Sequence, residues 1–186
     1  WSALLDRVIK NSADAGAQMD LALIAQLTGQ ANYAKVCQQQ ALAAHKLFRL
    51  AGTSMKPTLR LLAICAAAGI GDNTPVEFLV QNSDVELYTY YVVPGETVVG
   101  DIIDHDVAFV AVPDSDANRP TLASIAQLLE AWPRPVLNPP ARIPRLERDR
   151  FCALVESVPG VAIPPTLRID RARLLHPSER ARRLRA

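Results

Sequence analysis

The stretch that determines the fold is Leu59-Arg60-Leu61-Leu62-Ala63-Ile64-Cys65. A short and nearly continuous apolar run of this kind is typical of a strand that is buried on both faces of a parallel sheet. The residues directly before it, 52–57, are small and polar and end in a proline, so they predict a linker. We therefore expect a sheet domain to begin near residue 58.

Strands and helices alternate after this run. Further strands are predicted at residues 85–93, 107–112, 135–138 and 161–163, and helices at residues 74–82, 120–132 and 148–158. The first of these helices begins with Thr74, Pro75 and Glu77, which predict a capping box with Thr74 as the capping residue. Alternation with short connections favours an α/β fold with a mostly parallel, doubly wound (Rossmann-like) sheet over residues 58–170.

The preceding residues, 1–52, predict an N-terminal α-helical extension. Apolar residues recur at helical spacing in three segments, at residues 1–9, 17–28 and 31–51. Gly29 follows the second segment at the position where a glycine in the left-handed conformation commonly ends a helix.

Composition and charge limit the classes of function. The formal net charge of +1 argues against a dedicated nucleic-acid-binding protein. Residues 171–186 predict a solvated basic tail, and a contact with phosphate or nucleic acid is the alternative. Three cysteines without a CxxC pair favour a reducing compartment, so we expect a cytoplasmic protein. No apolar run reaches the length of a membrane span.

Two polar loops follow predicted strands, at the edge where ligands of doubly wound sheets bind. Candidate substrate-binding residues in the first loop are Gly69, Gly71, Asp72, Asn73 and Thr74, and those in the second are Asp114, Ser115 and Asn118. Backbone amides at the start of the helix after the first loop suit an anion such as phosphate or carboxylate. The first loop lacks the third glycine of a dinucleotide fingerprint. The same residue types are common in turns and helix caps, so a purely structural role is the alternative for both loops.

Other polar residues predict no catalytic or metal site. Asp101, Asp104, His105 and Asp106 have the ligand chemistry of a divalent-metal site. They directly precede a strand, however, at the end opposite to the usual binding edge, and we predict a solvated loop. No serine, cysteine or threonine stands in a nucleophile motif. Cys65 and Cys152 lie on apolar stripes and are predicted to be core residues.

Two segments resemble known families. The helical pair with Gly29 and Ala41, small residues twelve apart, resembles a tetratricopeptide repeat, and a lone helical hairpin is the alternative. The second resemblance rests on the following run: Val136-Leu137-Asn138-Pro139, Ile143, Arg148-Asp149-Arg150, Leu154, Pro159-Gly160-Val161 and Pro164-Pro165-Thr166. This run resembles the end of the pre-ATP-grasp domain of ATP-grasp ligases, with Arg150 where that family usually has lysine.

The ATP-grasp resemblance implies a function for a longer parent protein. ATP-grasp enzymes form an acyl phosphate from a carboxylate and ATP and then join it to an amine or a thiol. Their nucleotide-binding lysines and Mg²⁺-binding carboxylates lie in domains that follow this one. The resemblance therefore implies ATP and Mg²⁺ for the parent protein, no cofactor and no catalysis in this chain alone, and substrate contacts at residues 69–74 and 114–118.

Two other functions stay open: a stand-alone protein-protein interaction module on an α/β scaffold, and a small-ligand-binding sensor. Partners are expected to be the missing C-terminal domains or another protein, without a membrane and without nucleic acid. Because three amphipathic helices exceed what one small domain covers, a homodimer is also expected.

Overall fold

The computed structural model describes residues 1–69, 71–93, 95, 103–170 and 172. The helices are α1 (Ser2–Lys10), α2 (Ala15–Leu27), α3 (Ala31–Ala44), α4 (Val76–Val80), α5 (Arg119–Leu128) and α6 (Arg148–Val155), with 3-10 turns at Leu129–Ala131 and Ile143–Leu146. The strands are β1 (Leu47–Leu50), β2 (Leu59–Ala66), β3 (Val85–Val92), β4 (Val107–Val110) and β5 (Val136–Leu137). No helix among the described residues is long and apolar enough to cross a membrane.

In the described part of the chain, the five strands form one sheet in the order β1-β3-β2-β4-β5. The predicted strand β2 pairs in parallel with both β3 and β4, and β4 pairs in parallel with β5. The edge strand β1 runs antiparallel to β3. The α/β class, the mostly parallel sheet and the N-terminal helical extension are therefore confirmed.

The third predicted helix was too long. It ends at Ala44, and Leu47–Leu50 form β1 instead of continuing the helix to residue 51. His45 has extended backbone angles, which turn the chain into the strand. Pairing with β3 satisfies backbone N–H and C=O groups that an open sheet edge leaves unpaired. The free energy gained from this pairing outweighs the local preference of the segment for a helix.

Two further sequence predictions were wrong. Residues 161–163 form no strand, and Val161 is about half exposed, so burial does not favour an extended pairing there. Thr74 does not cap α4, because Pro75 occupies the capping position and no side chain caps the helix. The backbone amide of Thr74 is instead bound to the carbonyl of Ala111, at a distance of 2.7 Å.

Apolar side chains pack on both sides of the sheet. We call one side the closed face; its buried residues include Leu62, Ile64, Tyr88, Ala108, Val110, Leu122 and Ile125. We call the other side the groove face; its buried residues are Leu61, Ala63, Cys65, Val76, Leu87 and Ala111. Helix α5 contributes to the closed face and α4 to the groove face.

The chain divides into two compact units, Trp1–Ile143 and Pro144–Ala186. The first unit contains the sheet together with α1–α5. In the second unit, Glu147 binds Arg150 and Arg168 at the start of α6. Cys152, which was predicted to be a core residue, is only partly buried.

The predicted domain boundaries, at residues 1–52, 58–170 and 171–186, stay predictions. The predicted basic tail lies outside the described residues except for Ala172.

Candidate functional site

The loop after β2 folds back onto the end of that strand. The side chain of Asn73 accepts a hydrogen bond from the backbone amide of Ala66 (2.7 Å) and donates one to the carbonyl of the same residue (3.0 Å). The amide of Thr74 donates to Ala111, directly after β4. The predicted loop therefore lies at the carboxyl edge of the sheet and is joined to the end of a neighbouring strand.

Asp72 and the two glycines shape this loop. The carboxylate of Asp72 accepts a hydrogen bond from the amide of Gly69 at 2.9 Å, and Gly71 has a φ of +88°, which favours glycine. A Cβ on Gly69 would lie 3.1 Å from the Asp72 carboxylate and 3.2 Å from the Gln26 side-chain oxygen on α2. These features give Gly69, Gly71 and Asp72 a structural role in shaping the loop, which passes close to α2 at Gly69.

The second predicted loop lies at the same edge of the sheet. The side chain of Asn118 donates to the carbonyl of Pro113 at 3.1 Å, and its backbone amide donates to the hydroxyl of Ser115. Asp114 is half-buried beside them. Asn138, which follows β5 with a φ of +55°, donates to the carbonyl of Val110 at 2.8 Å. Asparagine side chains therefore close the carboxyl ends of β2 and β4.

A groove of about 540 Å³ opens beside the first loop, on the groove face. Its floor comes from the sheet residues Ala63, Cys65, Leu87, Thr89 and Tyr91, and its walls include Met19, Leu23 and Leu27 of α2 and Pro75, Glu77 and Phe78 at α4. The groove brings together the predicted residues Gly69, Gly71, Asn73 and Thr74. Asp72 and the second-loop residues Asp114, Ser115 and Asn118 do not line it.

Two ionisable side chains on the groove floor are held neutral. Cys65 and Tyr91 are partners across β2 and β3. Burial raises the pKa of the Cys65 thiol to about 12, and the nearby Glu77 carboxylate adds to this shift. Burial also raises the pKa of Tyr91 to about 12, with Cys65 and Glu77 as further causes. A thiol with this pKa is a poor nucleophile at neutral pH, so the floor suits binding rather than covalent chemistry.

The polar cluster before β4 is structural. The predicted solvated loop was wrong for His105, which is buried; it lies 2.8 Å from the carbonyl of Ile103 and accepts a hydrogen bond from the indole of Trp132 at 3.2 Å. Because the indole can only donate, the proton of the neutral ring lies on Nδ1. Asp104 is exposed and pairs with Arg60 and Arg134, whereas Asp101 lies outside the described residues. No three potential metal ligands cluster in the described ranges.

Sequence reasoning found the loop but missed most of the groove. The missed residues include those on α2 and those at alternate positions of β3, Leu87, Thr89 and Tyr91. Alternation along β3 predicts that these three side chains share one face, but it does not predict that α2 lies beside them. Comparison with protein-family models, with curated proteins and with solved structures gives no match for this chain.

Proposed function

We propose that this chain is the N-terminal, non-catalytic part of an ATP-grasp carboxylate-amine ligase-like protein, with a doubly wound sheet that supplies substrate contacts. The strand order supports the doubly wound topology, because β2 lies between β3 and β4 and all three are parallel. Helices on both faces of the sheet support it as well.

One observation carries the proposed substrate role. The hydrogen bond from the Thr74 amide to Ala111 joins the first loop to the end of β4. The strands β3 and β4 lie on opposite sides of β2, so this bond lies where the strand order reverses. Ligands of doubly wound sheets bind at such a point, beyond the carboxyl ends of the strands. The half-buried hydroxyl of Thr74 makes no hydrogen bond to a described residue and is therefore available to a substrate.

The residues at this edge do not fit ATP with Mg²⁺. The first loop and the second loop, as far as the structure describes them, offer amides, hydroxyls and three carboxylates, Asp72, Asp114 and Asp116, but no lysine or arginine that could hold a triphosphate. Arg119 directly follows the second loop and is paired with Asp116 at 3.1 Å. We therefore assign nucleotide binding to other domains of the parent protein, as the resemblance implies, and propose no catalytic residue in this chain.

The proposal is tested in the natural gene product that carries this sequence, by steady-state assay of ATP-dependent ligation. Thr74→Val removes the hydroxyl and keeps the backbone bond to Ala111. We expect a raised KM for the carboxylate or amine substrate and an unchanged KM for ATP. Thr58→Val, at the opposite end of β2, is the matched control because its side chain is exposed and makes no hydrogen bond to a described residue.

Two results would count against this function. The first is ATP turnover by the purified 186-residue chain alone. The second is a natural gene product without ATP-dependent ligation, or one in which Thr74→Val and Thr58→Val behave alike. The predictions of a homodimer and of a cytoplasmic location stay predictions.

A further inference from the structure

The groove on the groove face has an apolar surface that the described part of the chain leaves uncovered. Leu23 is 49% exposed, Leu27 72% and Phe78 71%, although all three line the groove. Exposed apolar side chains that lie together around a concave surface commonly mark a binding site, because a ligand that covers them removes apolar area from water. The volume of about 540 Å³ lies within the range of roughly 300–1,000 Å³ typical of small-molecule sites.

The charged residues of the groove all have the same sign. Asp20 on α2 and Glu77 on α4 are the charged residues among those that line it in the described part of the chain. Neither carboxylate forms an ion pair with a described residue. Two unpaired carboxylates on different elements create a negative potential over the apolar surface, and this potential favours a cationic ligand and opposes an anionic one.

We propose that this groove binds a small organic amine, in which one ammonium group is joined to an apolar body. The apolar body would cover Leu23, Leu27 and Phe78, and the ammonium group would lie near Asp20 and Glu77. The groove shares Thr74 with the substrate contacts proposed above, and α2 of the helical extension forms its opposite wall. The amine proposal does not rest on the ligase function, because it is argued from Asp20, Glu77 and the exposed apolar walls and is tested by binding to this chain without ATP.

The groove floor offers a hydrogen-bond acceptor for the same ligand. Tyr91 lies on the floor, and its hydroxyl makes no hydrogen bond to a described residue. With a pKa of about 12 it is neutral at physiological pH. A neutral phenol accepts a hydrogen bond from an ammonium group without the desolvation cost of a buried charge pair. The neighbouring Ala63, Cys65 and Leu87 make most of the remaining floor apolar, and Thr89 adds one hydroxyl.

A helical segment of another protein fits the groove less well. Stable protein-protein interfaces bury about 800 Å² on each partner, whereas the apolar walls here are short and are formed mainly by α2 and the short helix α4. Docking of a peptide therefore stands as the competing outcome of the test.

The test uses three probes of similar shape and different charge: phenylbutylamine, phenylbutanol and phenylbutanoate. Isothermal titration calorimetry of the 186-residue chain at neutral pH and low salt measures the dissociation constant of each. We expect the amine to bind about two- to thirtyfold more tightly than the alcohol, which is the range for two partly exposed ion pairs. The carboxylate should bind most weakly. Added salt should reduce the advantage of the amine.

The carboxylates are tested by the double variant Asp20→Asn with Glu77→Gln. Both side chains belong to exposed residues, so the change should leave the fold intact. The amine should then bind no more tightly than the alcohol, while binding of the alcohol is unchanged. The matched control is Asp6→Asn with Glu130→Gln, which removes two exposed carboxylates away from the groove and should keep the preference for the amine.

The location is tested by Ala63→Leu, which places a larger side chain on the floor and should abolish binding of both the amine and the alcohol. Circular dichroism checks that this variant is folded. Equal binding of the three probes would overturn the proposal, as would an amine preference that survives loss of Asp20 and Glu77. Binding of an apolar helical peptide at this groove without measurable binding of the amine would overturn it as well.

Discussion

The two faces of the sheet differ in how completely other elements cover them. On the closed face, Ile64, Val110 and Ile125 have no measurable exposure and pack into one cluster. On the groove face, α4 is only five residues long, and a space of about 540 Å³ is left beside α2. The same strands supply both faces, so the difference arises from the helices. One face is fully covered by other elements, and the other keeps an uncovered apolar surface, where we propose that a ligand binds.

The largest effect is expected from removing atoms on the closed face. Ile125→Ala leaves a cavity that its fully buried surroundings cannot fill, and we expect the free energy of unfolding to fall by about 2–5 kcal/mol. Urea denaturation followed by far-ultraviolet circular dichroism measures this change. Ile9→Ala on α1 is the matched control, because Ile9 is 79% exposed and its loss should change stability by no more than about 0.5 kcal/mol.

If the two isoleucine variants lost similar amounts of stability, the closed face would not be the main source of the stability of this unit.

A smaller effect is expected from adding atoms, and here the two faces should respond differently. Ala108 and Ala63 are both almost completely buried, on the closed face and the groove face respectively. Ala108→Leu should overpack the closed face and cost about 1–3 kcal/mol. Ala63→Leu can extend into the groove, and we expect a cost below about 1 kcal/mol. The comparison uses the same denaturation experiment.

Equal costs for the two leucine variants would mean that the groove does not offer usable space next to Ala63, and the ligand proposal would lose its main support.

The sequence predicted the strands better than it predicted the surfaces that cover them. Residues 59–65 predicted a strand with two buried faces, and β2 confirms it, because apolar residues at both alternating positions need cover from both sides. The same pattern does not say whether a helix or a ligand covers each side. The strand Leu47–Leu50 was missed because it follows a helical stripe without a break, and only its pairing with β3 makes it extended.

The candidate loop residues illustrate a second limit. Asp72 and Asn73 were predicted from their position after a strand, and the structure places them at that edge. Their side chains, however, bind the backbone of Gly69 and Ala66. Short polar side chains serve turns and ligands with the same hydrogen-bonding groups, so residue type alone could not separate the two roles. The groove depends on the position of α2 beside β3, which no local pattern contains.

The smallest effect concerns pH and separates the carboxylates of the two faces. Glu86 belongs to the closed-face side of β3 and is almost completely buried. The Nε of Arg49 donates to its carboxylate at 2.6 Å, and Arg60 lies 3.5 Å from its other oxygen. The hydrogen bond from Arg49 lowers the pKa of Glu86, and the positive charges of Arg49 and Arg60 add to this effect.

A lowered folded-state pKa means that the unfolded chain takes up the proton first as the pH falls. The stability that Glu86 contributes is therefore fully present above the unfolded-state pKa of about 4.3 and is lost as the pH falls through the lower folded-state pKa. Glu86→Gln should be less stable than the natural chain at neutral pH and should lose stability less steeply below about pH 5. Urea midpoints measured across the acid range check both points.

Glu77→Gln, on the groove face, removes a carboxylate without an ion pair to a described residue and should not reproduce the loss at neutral pH. A Glu77 variant as damaging as Glu86→Gln would show that the carboxylate at the groove stabilises the fold, and it would then be unsuited to serve as a free partner for a bound amine.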